Sequence, residues 1–346
     1  MVGYLLIFVV SIILSFALTP LAKLLSYKLG ILDLPNHRKI HDQPIPLLGG
    51  LAIFLSFSLG LLLTKTLNNE IIYIILFSFV FIAFGFLDDA GIKIRARYKI
   101  WGHLLFAFVF IALTGISFNL VSINWLNWLL SACFITFMTN STNMLDGMDG
   151  LVSGLAFWAS LFLALLAYNN NLPNIAMLCL ALAGATLGFL KYNFNPASIF
   201  LGEGGATLIG FLLAVIAIKL KVYQLWNVAL LLGIPRLQFI SFIVPLIILA
   251  IPIFDTCFVF TNRFINHIKM STPGKDHSHH RIHLMGLSQK ATVLTLYAVQ
   301  IILGAIALTM ANSDLQQFLS LLLILIIMAF VAWNFLLRVK VYSPEN

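Results

Sequence analysis

Apolar runs long enough to cross a bilayer recur from one end of this chain to the other, and that recurrence leaves few architectures open. Each crossing helix needs ~20 predominantly apolar residues, and in lipid the backbone must satisfy its own N–H and C=O groups. Eleven such runs occupy residues 2–22, 47–64, 71–87, 100–119, 124–140, 151–168, 174–190, 199–218, 239–260, 291–311 and 315–338. Residues 223–234 are too short to cross and read as an interfacial segment. The chain is 61% hydrophobic and 9% charged, against roughly 25% charged residues in soluble domains. The expectation is an all-α polytopic membrane helical bundle of about 11 transmembrane helices, forming a single integral-membrane domain over 1–346.

The first run lacks a basic leader and a small-residue cleavage site, and ten more runs follow it, so it reads as a span rather than a signal peptide. Cys133, Cys179 and Cys257 all fall inside apolar runs, which offers no disulfide framework.

Sidedness explains the net charge of +8. With eleven spans the loops alternate sides, and 16 of the 20 Lys and Arg fall on one of them. The other side holds Lys65, Lys219, Lys221 and Arg236. Cytoplasmic loops carry the Lys/Arg excess, so the N-terminus is placed outside and the C-terminus in the cytoplasm. This distribution argues against nucleic acid as a partner. Of the 12 acids, Glu70 and Asp314 alone lie on the outer side. Acids contribute little to topology, so their gathering with the basic loops needs another cause. A cytoplasm-facing functional site supplies one.

Four inner loops carry chemistry. The first, 33–50, is turn-rich and contains Arg38, Lys39 and His41. The second begins with Asp88 and Asp89, followed by Lys93, Arg95, Arg97 and Lys99. A carboxylate pair can hold a divalent cation or share a proton, and the neighbouring cations suit an anionic ligand. The third reads NSTNMLDGMDG over 140–150. On a helix Asn143 would share a face with Asp146, and Asp146 with Asp149, while Gly147 and Gly150 permit a broken helix end. Asp149 could equally cap the next helix. The fourth, GKDHSHHRIH over 274–283, could form a zinc site or a phosphate clamp, but H-x-H-H fits no structural zinc spacing well. Glu203 lies among Gly202, Gly204 and Gly205 just inside an apolar run. Intramembrane acids default to functional candidates. Asp255 raises the same question more weakly: Pro252 breaks the helix just before it, and Asp255 could instead satisfy the freed backbone groups.

Five motifs in this order resemble a known family. They are Asp33, Pro35, Arg38-Lys39, His41, Pro44, Pro46 and Gly49-Gly50; Asp88-Asp89; Asn140-x-x-Asn143 with Asp146-Gly147 and Asp149-Gly150; Asn193-x-x-Pro196-Ala197 leading to Leu201-Gly202-Glu203; and His277-x-His279-His280-Arg281. The chain is similar to the bacterial polyprenyl-phosphate N-acetylhexosamine-1-phosphate transferases, the WecA/TagO branch of a superfamily that also holds MraY and the eukaryotic dolichyl-phosphate enzyme.

The resemblance implies an enzyme of the bacterial cytoplasmic membrane that is dependent on Mg²⁺, with Mn²⁺ as a substitute. Its partners would be a UDP-sugar, with UDP-N-acetylglucosamine favoured, undecaprenyl or another polyprenyl phosphate, and membrane lipid. A homodimer is compatible with it. Carried over residue by residue, Asp88 and Asp89 match the catalytic acid pair, and Asn143 and Glu203 match positions associated with the metal. Asp146, Asp149 and Asn193 match the nucleotide pocket. Arg38, Lys39, His41, His277, His279, His280 and Arg281 match substrate-binding loops. Two departures stand out: Gly202-Glu203-Gly204-Gly205-Ala206 where the family usually has Gly-Asp-x-Gly-Ser, and Gly274 where many relatives have Asp. The alternatives are a multi-span transporter, which would show internal repeats and acids near the midplane, and an inactive relative.

Overall fold

The computed structural model describes residues 2–35, 43–234, 236–270, 272, 274–339 and 341. Every one of the eleven apolar runs is helical. The helices are α1 (Val2–Leu29), α2 (Gly49–Leu63), α3 (Asn69–Asp89), α4 (Ala96–Thr114), α5 (Asn124–Leu145), α6 (Leu151–Asn169), α7 (Pro173–Asn193), α8 (Gly202–Lys219), α9 (Trp226–Leu231), α10 (Leu237–Ser241), α11 (Ile243–Ile248), α12 (Ala250–Ile265), α13 (Ser278–Leu284), α14 (Gln289–Ala311) and α15 (Leu315–Leu337). A two-residue ladder, Leu32–Asp33 against Ile45–Pro46, is antiparallel. Among the described residues eight helices are long and apolar enough to cross a membrane: α1, α3, α4, α6, α7, α8, α14 and α15. Of the remaining runs, α2 has 15 residues, and α5 reaches 22 but carries several Asn, Ser and Thr.

The run at 239–260, expected to be one span, is broken. The segments Leu237–Ile248 and Ala250–Ile265 meet at 83°. Pro252, three residues into α12, has no N–H to offer the carbonyl of Ile248 four residues earlier. The Gln300 side chain on α14 donates to that carbonyl at 2.8 Å, so the break is sealed inside the protein. Residues 223–234 form a 3₁₀ turn and the six-residue α9, in keeping with a segment too short to cross.

Helix α8 is the axis of the bundle, with 89% of its apolar window buried against 6% for α15. Its small residues explain the difference. A Cβ added at Gly50 would lie 2.3 Å from Gly205 Cα, and one at Gly85 would lie 2.5 Å from Gly204 Cα. Backbones of α2 and α3 therefore touch the start of α8 where no side chain fits, the small-residue packing expected between helices in lipid. Thr142 Oγ1 on α5 donates to the Ala206 carbonyl at 2.9 Å, adding a polar link across the same axis. Gly85→Val is expected to destabilise the protein by about 1–3 kcal/mol through overpacking, read as a lower unfolding midpoint in detergent; an unchanged midpoint would refute this contact.

Helices α3 and α8 run antiparallel. At one end Glu70 pairs with Lys219. At the other, the C-terminus of α3 brings Asp88 and Asp89 to the N-terminus of α8.

Candidate active site

The two adjacent acids at the end of α3 do different things. Asp89 accepts from the backbone N–H groups of Glu203 (2.9 Å, Oδ1) and Gly204 (3.0 Å, Oδ2). It therefore caps α8 from another helix, satisfying two orphan donors beside the positive end of the helix dipole. The close approach is possible because residue 202 is a glycine with φ +75°: a Cβ there would lie 2.2 Å from the Leu47 carbonyl and 2.8 Å from Asp89 Oδ2. Asp88 points elsewhere. Its Oδ1 accepts from Ile94 N at 3.0 Å, which fixes the turn into α4, and its Oδ2 lies 3.1 Å from Lys99 Nζ.

Lys99 also meets Glu203, Nζ to Oε2 at 2.6 Å. Three elements thus converge on one ammonium: Asp88 from α3, Glu203 from α8 and Lys99 from the first turn of α4. The side chains are only 27%, 13% and 16% exposed, so the pairing is screened far less than a surface bridge. Four residues further along α4, His103 is buried and its Nδ1 lies 3.2 Å from Asn140 Nδ2. Lys99 and His103 form one inward stripe of α4.

The stretch 140–150 does break its helix. Helix α5 ends at Leu145, Asp146 follows as its C-cap, and Gly150, with φ +76°, opens α6. Neither the Asn143 amide nor the Asp146 carboxylate makes a hydrogen bond among the described residues. Burial, then the negative charges of Asp89 and Asp149, push the Asp146 carboxyl up to about 7. Asp149 is not the α6 cap. Its Oδ2 accepts from Asn195 Nδ2 (2.9 Å) and Ala197 N (3.0 Å), which ties the 193–199 turn to this loop. Asn193 is buried, accepting from Ser153 Oγ at 2.6 Å and donating to the Ile199 carbonyl at 3.0 Å. Both residues shape the loop with side chains already engaged.

The raised Asp146 has a consequence for stability. Its carboxyl holds a proton in the folded chain at pH values where the unfolded chain has released it, so stability falls as pH rises from about 4 to about 7. Asp146→Asn is expected to raise the unfolding midpoint of the ligand-free protein by several degrees at pH 8, with the gain shrinking towards pH 4. Thermal unfolding at both pH values checks this; an equal effect at the two would remove the charge repulsion from the account.

Helix α13 packs against the same loop. A Cβ at Gly147 would lie 2.6 Å from His279 Nε2 and 3.3 Å from His280 Nε2. Burial pulls His279 down to about 3 and His280 to about 4, with neighbouring cationic side chains adding to the effect at His280. Both rings are neutral at physiological pH. His277 Nδ1 lies 2.7 Å from Asp255 Oδ2, and Asp255 Oδ1 accepts from Ser278 N and Ser278 Oγ, each at 2.6 Å. Asp255 therefore anchors the histidine loop and does not serve the broken helix before it. Arg281 is buried, donating to the Asp276, Leu336 and Val339 carbonyls at 3.1, 3.0 and 2.5 Å. Arg263 forks onto Asp276 with two 2.8 Å bonds, and a Cβ at Gly274 would lie 2.5 Å from Asp276 Oδ1. Glycine at 274 thus makes room for this ion pair. Arg38, Lys39 and His41 lie outside the described residues.

Sequence reasoning placed Lys99 only as one member of a basic run. Its i, i+4 relation to His103 was the available signal. It had no means of joining Asp255 to His277, which are 22 residues apart.

The sequence profile of glycosyl transferase family 4 matches residues 71–221, the segment that contributes Asp88, Asp89, Lys99, Asn143, Asp146 and Glu203. A Bacillus subtilis protein described as a probable undecaprenyl-phosphate N-acetylglucosaminyl 1-phosphate transferase is 32% identical over 330 residues, 92% of this chain and 88% of the relative. Phospho-N-acetylmuramoyl-pentapeptide-transferases of Bacillus cytotoxicus and Bacillus thuringiensis are 27% and 26% identical, each over 87% of this chain and 94% of the relative. An acid pair at a helix end, a third acid at the start of α8 and a near full-length relationship converge on one conclusion: the chain belongs to glycosyl transferase family 4, among its membrane polyprenyl-phosphate sugar-1-phosphate transferases.

Proposed function

We propose that the protein transfers N-acetylglucosamine-1-phosphate from UDP-N-acetylglucosamine to undecaprenyl phosphate, starting a lipid-linked cell-envelope glycan. The observation that carries this reading is the convergence of Asp88, Glu203 and Lys99 at the end of the bundle that also holds Asp146 and the histidines. A lipid phosphate oxygen attacks the β-phosphorus of the sugar nucleotide, the bond to the α-phosphate oxygen breaks, and UMP leaves. In the topology favoured by the Lys/Arg bias, eleven crossings put the N-terminus outside and this end of the bundle in the cytoplasm of a bacterial inner membrane. A soluble nucleotide then has access from one side, while the lipid arrives between helices.

The residues present fit a hard divalent cation. Two carboxylates already share one positive group, and all the candidate donors here are oxygens, as Mg²⁺ or Mn²⁺ prefers. Glu203 and Asn143 would hold it, and the bound ion would offset the repulsion between a phosphate nucleophile and a diphosphate. The chain's own groups do the rest. Lys99 brings an ammonium to the point where phosphate charge must gather. Asp89, by holding the Glu203 and Gly204 amides, fixes the start of α8 and thus where the Glu203 carboxylate sits. Asp88 is positioned to accept or orient the proton of the lipid phosphate. Asp146, without a hydrogen-bond partner among the described residues, faces the nucleotide.

The deciding experiment offers a panel of UDP-sugars to purified protein with undecaprenyl phosphate and follows UMP. Release with UDP-N-acetylglucosamine, dependent on the lipid phosphate, is the expected result. No UMP from any UDP-sugar, or movement of a substrate across vesicles without UMP, overturns it.

A further inference from the structure

The histidine cluster contains more than the transfer chemistry requires. Among the described residues Asp255, His277 and His279 each offer a ligand atom within 4.8 Å of the other two, and all three are buried. His279 is 0% exposed, and neither of its ring nitrogens finds a hydrogen-bond partner among the described residues. A buried, unpartnered polar atom is costly, about 1–3 kcal/mol each, and such groups in a native protein call for an occupant. Its ring stacks 5.4 Å from that of His277, which is in turn held by Asp255 at 2.7 Å.

We propose that Asp255, His277 and His279 form a binding site for a zinc-class divalent cation, separate from the oxygen-lined site at Asp88 and Glu203. Two imidazoles and one carboxylate are the donor types that suit zinc, whereas magnesium prefers oxygen alone. Tetrahedral zinc with bonds of ~2.0–2.2 Å needs ligand atoms roughly 3.3–3.5 Å apart. The Asp255–His277 pair, at 2.7 Å, would open by roughly 0.6–0.8 Å on binding, and the remaining ligand atoms, within 4.8 Å, would draw in. The Ser278 N–H and hydroxyl, both on Asp255 Oδ1, hold the carboxylate in place, the role outer hydrogen bonds play around metals, while Oδ2 would exchange its contact with His277 Nδ1 for the ion. Sequence spacing concealed this site because the third ligand arrives from α12 rather than from the H-x-H-H run. A bound ion would clamp α13 to α12, and hence the side of His279 and His280 that Gly147 packs against.

The test uses tag-free, full-length protein in detergent, stripped with a chelator and dialysed against micromolar Zn²⁺ in millimolar Mg²⁺. Metal analysis is expected to find one Zn²⁺ per chain, at least tenfold less in His279→Ala and in Asp255→Asn, and undiminished binding in Glu203→Gln. The readout needs no sugar nucleotide, so it stands or falls apart from the transferase activity. Absence of retained Zn²⁺ in the wild-type chain overturns the proposal, as does a full equivalent in both His279→Ala and Asp255→Asn. Should those variants fail to fold, X-ray absorption at the zinc edge of the wild-type protein decides: two imidazoles with oxygen ligands supports the site. A sulfur ligand, or fewer than two imidazoles, refutes it.

Discussion

Asp88→Asn is expected to lower the rate of sugar-phosphate transfer by about 10²–10⁴-fold, the range for loss of a positioned proton acceptor, while the protein still folds. The amide keeps an oxygen for the Ile94 N–H, so the turn into α4 persists. What disappears is the negative charge 3.1 Å from Lys99. The neighbouring substitution separates the two acids. Asp89→Asn puts an amide nitrogen against one of the two α8 N–H groups, and losing a helix cap costs about 0.5–2 kcal/mol. It should abolish transfer and also lower the unfolding midpoint, which Asp88→Asn should leave nearly unchanged. Rate and midpoint measured together make the distinction. Wild-type turnover in both variants would remove the acid pair from the mechanism.

Glu203 carries the second large effect. The family usually has Asp here, and the extra methylene lets the carboxylate reach Lys99 Nζ at 2.6 Å from the first turn of α8. Glu203→Gln removes the charge without changing the shape, and Mg²⁺-dependent turnover should fall by about 10²-fold or more, the scale of losing a metal-binding or electrostatic group. Glu203→Asp shortens the arm but keeps the charge, so turnover should be preserved or raised. A Mg²⁺ titration of both variants checks this. An unchanged Mg²⁺ dependence in Glu203→Gln would exclude the residue from the metal's surroundings.

These expectations show where sequence reasoning reached and where it stopped. The apolar runs were legible because the need to satisfy the backbone in lipid leaves helices as the solution, and each of the eleven is helical. The break near Leu249 was legible through Pro252, but its closure was not: the Ile248 carbonyl that the proline leaves open meets its donor, Gln300, from a helix 52 residues away. At the site, residue types and order singled out Asp88, Asp89, Asp146 and Glu203 as candidates, since a cluster of acids in a greasy chain has few uses. Their division of labour was hidden. Asp88 and Asp89 are indistinguishable as letters, yet one faces a lysine and the other caps a helix. Asp149 and Asn193 pass as open ligands in a motif, but their side chains hold the 193–199 turn. Arg281 resembles a phosphate contact, and the structure turns it to the end of α15. Each of these depends on which helices become neighbours, which local spacing does not encode.

That last contact bears on how the chain is handled at the bench. The buried Arg281 guanidinium takes acceptors from Leu336 and Val339, at the point where α15 gives way to the C-terminal segment. A truncation before Val339 would remove one of the two carbonyls that Nη1 reaches, and the loss would fall on the histidine helix rather than on the tail. Shortened versions of this protein therefore need residues 336–339 kept in place around the arginine.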